Sequence, residues 1–305
     1  LKFNFFKVKS FSMNKFYQLD KYCAIKINGD RGREFLQGLA SCDLNTDAKH
    51  WTGLFCDEKG FVLSNATIVL DNNFYLVVRE CVAEILVNDL TKYAPFYKCS
   101  FEMTNKRVFA EVTSKTIRKS FEHSEDPSTN TAEWEKACME NFQYDIDCEV
   151  FGKFRPQELG YDLEKFISYE KGCYRGQEII ARVTYLGKKN KAAVIFPNAK
   201  SPITDVAGKN IGKEIFSKNF ENLTLHHYYI EKSDYFVVGE RRRARAARLR
   251  PNLFIPSMPC YSPPPLHMLQ VPCLRRSLSR RMKRRPSGRA SSPRCRRCCR
   301  ICLRA

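Results

Sequence analysis

Two periods of apolar residues alternate along the first 240 residues and predict short strands interleaved with short helices. Residues 23–27 form an apolar run that ends in Asn28-Gly29, so a strand closed by a turn is expected there. Residues 31–39 then carry apolar side chains at helical spacing. The expected buried face of this helix consists of Phe35, Leu36 and Leu39.

A hairpin and a second helix follow in the pattern. The polar sequence Asp-Glu-Lys-Gly at 57–60 separates two apolar runs, which is typical of a β-hairpin turn. Ala66, Ile68 and Leu70 occupy alternate positions, and so do Phe74, Leu76 and Val78, which predicts two strands. Helical spacing returns along 80–93, where the expected buried residues are Val82, Ile85, Leu86 and Leu90.

Later segments continue the alternation of strands and helices. Residues 108–112 fit a strand, residues 132–142 fit a helix that carries Trp134, and residues 192–196 and 228–238 fit further strands. Strands that occur in groups between the helices predict an α+β fold and not a parallel doubly wound sheet.

Residues 171–178, Lys-Gly-Cys-Tyr-Arg-Gly-Gln-Glu, are the most informative run of the chain. Gly172 and Gly176 indicate a backbone that turns sharply or that another group approaches closely. Cys173 is expected on that bend, where the positive charge of its neighbours would favour the thiolate. Such a cysteine could be a nucleophile, a redox thiol or a soft metal ligand, or a small side chain that merely fits a tight loop.

The apolar residues after this run fit either a strand or the first turn of a helix. In a helix, Glu178 and Arg182 are four residues apart and could pair on one face, where they would orient the loop. In a strand that pairing would fail.

Charge divides the chain near residue 240. Residues 241–305 contain eighteen Arg, one Lys and no Asp or Glu, so they account for the whole net charge of +19. They also hold nine of the fourteen prolines, and this composition predicts a disordered tail that is foreign to the fold, such as an out-of-frame translation. The alternative is a genuine basic arm that binds nucleic acid through its phosphates.

The cysteines and histidines show no metal-binding pattern. In the tail, two abutting C-x-x-C pairs at 295–302 lack the spacer that a tetrahedral zinc site needs. The eight cysteines before the tail have no regular pairing frame, which indicates reduced thiols of a cytoplasmic protein. His226 and His227 would point to opposite faces of a strand. No metal site and no membrane-spanning segment are therefore expected.

The run at 171–178 resembles the signature of the YgfZ family, Lys-Gly-Cys-Tyr-x-Gly-Gln-Glu, and matches it at every fixed position. This family is related to the T-protein of glycine cleavage. Residues 32–38 and 55–60 are similar to the two N-terminal landmarks of the family, and residues 156–158 to the proline-led turn before the signature. The resemblance covers residues 13 to 238.

The resemblance implies a T-protein-like fold, in which mixed and antiparallel sheets surround a central channel and a small β-barrel follows. A folate-binding domain is expected at 13–185 and the barrel at 186–240. We expect the barrel to be incomplete, because the tail begins where its final strand or strands would follow. Residues 1–12 precede Met13 and contain three lysines, so they are expected to be upstream read-through and not a signal peptide.

The resemblance further implies a folate-binding auxiliary factor that supports the maturation or repair of iron–sulfur enzymes, including those that thiolate tRNA. Tetrahydrofolate or another folate would be its ligand, and nucleic acid would be contacted only indirectly or through the tail. Tyr22 lies where relatives carry a tryptophan, and Tyr22 and Trp134 are expected to stack on the folate, although Trp134 could equally fill the core. The expected functional residues of the signature are the thiol of Cys173 and its neighbours Lys171, Gly172, Tyr174, Gly176, Gln177, Glu178 and Arg182.

A competing hypothesis is a true folate-dependent aminomethyltransferase, which would make the chain an enzyme. That activity needs an acidic residue beside the folate and a surface for a lipoyl-carrying partner. No T-protein landmark occurs in the N-terminal half, whereas the signature is complete. An auxiliary factor is therefore expected in preference to a one-carbon transferase or a basic nucleic-acid-binding protein.

Overall fold

The computed structural model describes residues 15–113, 117–121, 127–187, 191–198, 203–205, 208–231, 236–238, 245–247 and 253–254. All of them belong to one compact unit, Leu1–Tyr261. The helices are α1 (Gly32–Leu39), α2 (Glu80–Leu90), α3 (Ala94–Tyr97), α4 (Thr131–Glu140), α5 (Leu163–Phe166) and α6 (Gln177–Leu186). The strands are β1 (Lys15–Gln18), β2 (Tyr22–Asn28), β3 (His50–Cys56), β4 (Val62–Asp71), β5 (Asn73–Arg79), β6 (Ser100–Thr104), β7 (Phe109–Val112), β8 (Ile117–Ser120), β9 (Lys191–Pro197), β10 (Ile203–Asp205), β11 (Gly212–Phe220), β12 (Leu223–Glu231), β13 (Phe236–Val238), β14 (Arg245–Ala247) and β15 (Leu253–Phe254).

The largest sheet has five antiparallel strands in the order β3-β4-β5-β2-β6 and is covered on both faces. Neighbouring residues of β5 enter different cores: Leu76 belongs to the core that contains α1 and α2, and Tyr75 to the core that contains Trp134. Both predicted strands are confirmed, and residues on both faces of each are buried. Thr67, a polar residue of β4, is buried as well, because a core lies on each face of the sheet.

The predicted hairpin and both predicted N-terminal helices are confirmed. β3 pairs with β4 across a turn in which the Gly60 amide donates to the Asp57 carbonyl at 3.0 Å. The expected face of α1 is buried, as its spacing predicts. On α2 the expected face is wrong at one position, since Ile85 is 45% exposed while Ala83 is buried against the sheet.

Smaller sheets complete the fold. β1, β7 and β8 form an antiparallel sheet, and β10, β13 and β14 form another. The sheet β11-β12-β9-β15 is mixed, because β15 runs parallel to β9. The α+β class is thus confirmed, with antiparallel and mixed sheets. The strand predicted over 228–238 is divided between β12 and β13, and no closed barrel occurs among the described strands.

Two short strands fall inside the segment predicted to be a disordered tail. β14 pairs with β13, and the apolar pair of β15 adds to the edge of β9. The disorder expected from composition therefore does not extend to these five residues. The rest of 241–305, like residues 1–12, lies outside the described residues. Within the part of the chain that the structure describes, no helix is long and apolar enough to cross a membrane.

β12 presents its two histidines to opposite faces, as predicted. His226 contacts Glu214 of β11 at 2.8 Å. His227 is fully buried beside the rings of Phe142 and Phe216, whose centroids lie 5.8 and 5.5 Å from its own. Neither ring nitrogen of His227 has a hydrogen-bond partner among the described residues. Burial accordingly lowers the pKa of His227 to about 3.

Replacing His227 with Phe should remove a pH-dependent part of the stability. The unfolded chain protonates this histidine near pH 6.5, whereas the folded chain keeps it neutral to about pH 3, so its contribution is complete above pH 6.5 and is lost as the pH falls toward 3. Between about pH 7 and about pH 4.5, the original chain should lose about 2–3 kcal/mol through this residue, and His227→Phe should not.

Urea unfolding at the two pH values measures this difference. His226→Gln, one residue away on the exposed face, is the matched control and should retain the loss. An equal loss in His227→Phe and the original chain would contradict the assignment.

Candidate functional site

Residues 171–176, here called the motif loop, precede α6 and are held by two cations. The Lys171 amine, in a side chain with 8% exposure, donates to the carbonyl oxygens of Ala40 and Cys42 at 2.6 and 2.8 Å. Burial lowers the pKa of Lys171 to about 8, because two carbonyls replace its shell of water. One end of the motif loop is thereby fixed to the segment between α1 and β3.

Arg175 fixes the other end of the motif loop. Its guanidinium donates to the carbonyl of Cys56 at the end of β3 and pairs with Asp89 of α2 at 2.6 Å. It also lies over the ring of Tyr93, 5.1 Å from the centroid. Both cations that flank Cys173 in the sequence are therefore engaged with carbonyls, an acid and a ring.

The two glycines of the motif loop differ in their constraints. Gly176 has φ +82°, and a Cβ there would lie 2.5 Å from the carbonyl oxygen of Asp57. The sequence-based expectation of a close approach is confirmed at this residue. At Gly172 a Cβ would meet no atom within 4 Å, so only the alternative of a sharp turn remains for this glycine.

Cys173 is exposed on the motif loop, outside any helix or strand, while its neighbour Tyr174 is buried beneath it. The Tyr174 amide donates to the Gln177 side chain at 3.3 Å, so the start of α6 closes the loop. The helical alternative for the residues after the motif is the observed one. Among the described residues, however, no ion pair joins Glu178 and Arg182.

A wide groove of about 700 Å³ lies next to the motif loop. Its lining includes Cys42, whose carbonyl holds Lys171, and three carboxylates, together with the ring of Tyr169. The carboxylates are Asp43, Glu164 and Glu170. Lys165 also lines the groove, so its surface has a net negative charge and is partly aromatic.

Tyr22 and Trp134, the two aromatic residues expected to bind folate, are in contact on the other core of the large sheet. The Trp134 indole donates to the Tyr22 hydroxyl at 3.3 Å, and that hydroxyl donates to the Asp145 carboxylate at 2.7 Å. Asp145 also accepts from Lys119 at 2.5 Å and from Asn65 at 2.8 Å. Burial, followed by the charge of Asp145, raises the pKa of Tyr22 well above its usual value, so the phenol keeps its proton.

A chain of ion pairs borders this cluster. Glu135 pairs with Arg79 at 3.0 Å and with Lys218 at 2.9 Å. Burial opposes ionisation of Glu135, but its hydrogen bonds and ion pairs with Lys218 and Arg79 outweigh burial and hold the pKa of the carboxyl below its usual range. Tyr22, Asp145 and the three ion-paired residues line a recess of about 20 Å³, room for one water molecule.

The cluster contains residues that the sequence did not indicate as functional. Asn65, Lys119 and Asp145 meet only because β4, β8 and the segment after α4 converge. A charged residue between two apolar aromatic or aliphatic neighbours, as in Tyr144-Asp145-Ile146, is the one local signal that could have found it. The residues that bind the Tyr22–Asp145 cluster differ from those that hold the motif loop. In the described residues, no group of three His, Cys, Asp or Glu side chains is arranged to hold a metal ion.

The fold is similar to that of a known enzyme class. Aminomethyltransferase T of the glycine cleavage system from Bartonella henselae superposes with a TM-score of 0.56, over 79% of this chain and 86% of that protein, at 14% identity. An identity this low establishes the fold alone. The chain is therefore a protein of the aminomethyltransferase fold class.

Comparison with sequence relatives identifies the family within this fold class. No family model matches the chain. A protein of Haemophilus influenzae described as uncharacterized is 30% identical over 206 residues, 60% of this chain and 74% of that protein. The tRNA-modifying proteins YgfZ of Colwellia psychrerythraea and Escherichia coli O157:H7 are 25% and 26% identical, over 64% and 63% of this chain and 76% and 74% of their own. With the complete signature at 171–178, the chain belongs to the YgfZ family.

Gly176→Ala should destabilise the fold, and Gly172→Ala should not. The first substitution forces an alanine into positive φ and against the Asp57 carbonyl, at a cost of about 1–3 kcal/mol. The second meets open space and should change the free energy of unfolding by about 0.5 kcal/mol or less. Urea unfolding of the matched pair provides the comparison. Equal effects at the two glycines would show that the close approach to Asp57 is not a constraint.

Proposed function

We propose that this protein is a folate-binding auxiliary factor that supports iron–sulfur enzymes of tRNA modification, with Cys173 as its functional thiol. The observation that carries the proposal is the form of the signature in the fold. Lys171, Tyr174 and Arg175 are all buried or engaged, so the motif loop is rigidly anchored while the thiol between them is exposed. An anchored loop that exposes one cysteine is suited to offering its sulfur to a partner.

The tRNA part of the proposal comes from the relatives. Both named relatives are described as tRNA-modifying proteins, and each match covers about three quarters of that relative's length. The groove next to the motif loop carries three carboxylates against one lysine, so it is unsuited to binding the phosphates of tRNA directly, because like charges repel. Action through a partner enzyme therefore fits this surface better than direct contact with the nucleic acid.

The Tyr22–Asp145 cluster supplies groups that suit a folate. A pterin presents amide and amine edges that a carboxylate such as Asp145 can accept from, and the Tyr22 ring is polarised and half-buried. Arg79 and Lys218 are cations of the kind that hold the glutamate carboxylates of a folate.

The recess has polar groups that suit a folate, but its volume is too small for one. A recess of about 20 Å³ does not admit a pterin ring. The ion pairs of Glu135 with Arg79 and Lys218 close one side of it. We therefore expect folate to bind when these ion pairs open, which frees both cations for its carboxylates.

Tetrahydrofolate should change the fluorescence of Trp134. A Trp51→Phe background leaves Trp134 as the sole tryptophan, because the chain has two. In this background, Tyr22→Phe removes the hydroxyl bonded to Asp145 and keeps the ring, so the Kd should rise about 10-fold. Tyr97→Phe, in the other core of the sheet, is the matched control and should leave the Kd unchanged. No fluorescence change at millimolar tetrahydrofolate would refute folate binding at this cluster.

Cys173→Ala should abolish biological activity while leaving the fold intact. The exposed thiol contributes little packing, so the free energy of unfolding should change by about 1 kcal/mol or less. Activity is measured as restoration of a thiolated tRNA base in a strain that lacks the endogenous family member. Cys81→Ala, which removes another exposed thiol, is the matched control and should restore the modification.

Two outcomes would count against the role of Cys173. A loss of several kcal/mol on urea unfolding of Cys173→Ala would assign the cysteine to packing. Folate-dependent aminomethyl transfer by the purified chain, retained in Cys173→Ala, would favour the enzymatic alternative.

A further inference from the structure

Two exposed cysteines outside the motif loop are neighbours. Cys81 lies in the first turn of α2, and Cys148 lies in the turn that follows Asp147. The Cys148 thiol donates to the carbonyl oxygen of Cys81 at 2.8 Å, across 67 positions of sequence. The side chain of Cys81 also raises the pKa of the Cys148 thiol through a hydrogen bond.

Each sulfur is positioned by local structure. The turn around Cys148 is closed by the amides of Val150 and Phe151, which donate to the Asp147 carbonyl at 3.2 and 3.0 Å. The amide of Glu149 donates to the Asp147 side chain at 3.0 Å. On the other side, α2 fixes the backbone of Cys81. The pair is therefore held by a helix and a tight turn, not by two free loops.

A third cysteine lies nearby but is less suited to react. Cys23 of β2 is half-buried, and its β5 partner is Val78, three residues before Cys81. Burial, followed by the charges of Glu80 and Cys81, raises the pKa of Cys23 to about 11. Because it is half-buried, a peroxide reaches this thiol less easily than the two exposed ones.

We propose that Cys81 and Cys148 form a reversible redox site, a dithiol that a peroxide oxidises to a disulfide. Nothing in this inference depends on the function proposed for Cys173 or on folate binding. The Cys148 sulfur lies against the backbone of Cys81, both thiols are exposed to a small oxidant, and the helix and the turn hold the two residues together.

The reaction balances with hydrogen peroxide as the oxidant. The Cys81 thiolate attacks one peroxide oxygen, the O–O bond breaks, and hydroxide leaves, giving the sulfenic acid of Cys81. The Cys148 sulfur then attacks the Cys81 sulfur, its proton goes to the departing hydroxyl, and water leaves as the S–S bond forms. In total, two thiols lose two electrons and two protons, and one peroxide becomes two waters.

The position of the disulfide gives it a structural consequence. Arg79 lies two residues before Cys81, and Asp147 lies directly before Cys148, and both line the recess beside Tyr22. A covalent link between these two segments would hold Arg79 and Asp147 at a fixed separation. The oxidised form should therefore be the more rigid one around the recess.

Peptide mapping of the full chain tests the proposal. The reduced chain is treated with stoichiometric hydrogen peroxide, free thiols are alkylated, and the chain is digested with trypsin. The peptide of residues 80–92, which carries Cys81 alone, should appear joined to the peptide of residues 137–153, which carries Cys148 and the buried Cys138. The mass of the joined pair should be that of the two peptides less two hydrogen atoms, and its fragmentation should locate the link at Cys148. The joined pair should disappear after treatment with dithiothreitol.

Variants and an unfolding measurement test whether Cys148, and not Cys23, is the partner of Cys81. Cys23→Ser should form the same cross-link, whereas in Cys148→Ser the sulfenic acid of Cys81 should persist and react with dimedone. Oxidation should raise the urea midpoint of the original chain and of Cys23→Ser, and dithiothreitol should reverse the shift. The proposal fails if Cys81 joins Cys23 or a tail cysteine. It fails equally if Cys148 remains alkylatable after peroxide has oxidised Cys173.

Discussion

Burial of the five-stranded sheet on both faces is the constraint on which the rest of the structure depends. A sheet covered in this way leaves no solvent for polar groups that lie on it, so each must find a partner within the protein. Asp145 satisfies this requirement through Tyr22, Asn65 and Lys119. Lys171 satisfies it through two backbone carbonyls. The polar clusters that look functional are thus also the groups that make such a sheet possible.

The two clusters use the same device for different purposes. In the motif loop, Lys171 and Arg175 bind backbone carbonyls and Asp89, whereas Cys173 is exposed. Around Tyr22, cations and carboxylates neutralise one another and close a small recess. A loop stabilised by ion pairs can stay rigid, whereas a recess closed by ion pairs can open when a charged ligand replaces one partner. The chemistry of each cluster follows from what its charges are already bound to.

Local patterns in the sequence predicted the parts of the fold that local interactions determine. The Asp57–Gly60 turn and the buried face of α1 are set within a few residues, and both were predictable. The exposure of Ile85 depends on how distant segments pack against α2, so helical spacing misjudged it. The signature revealed the loop of Cys173, but Asp145 meets its partners only in three dimensions.

The contact between the motif loop and the β3–β4 turn joins two landmarks that are far apart in the sequence. A Cβ on Gly176 would lie 2.5 Å from the Asp57 oxygen, and a Cβ on Gly60 would lie 3.2 Å from Ile180. Neither turn can therefore enlarge during evolution without a matching change in the other. Among descendants of this chain, substitutions in the β3–β4 turn and in the motif loop should therefore occur together, although the two segments are far apart in the gene.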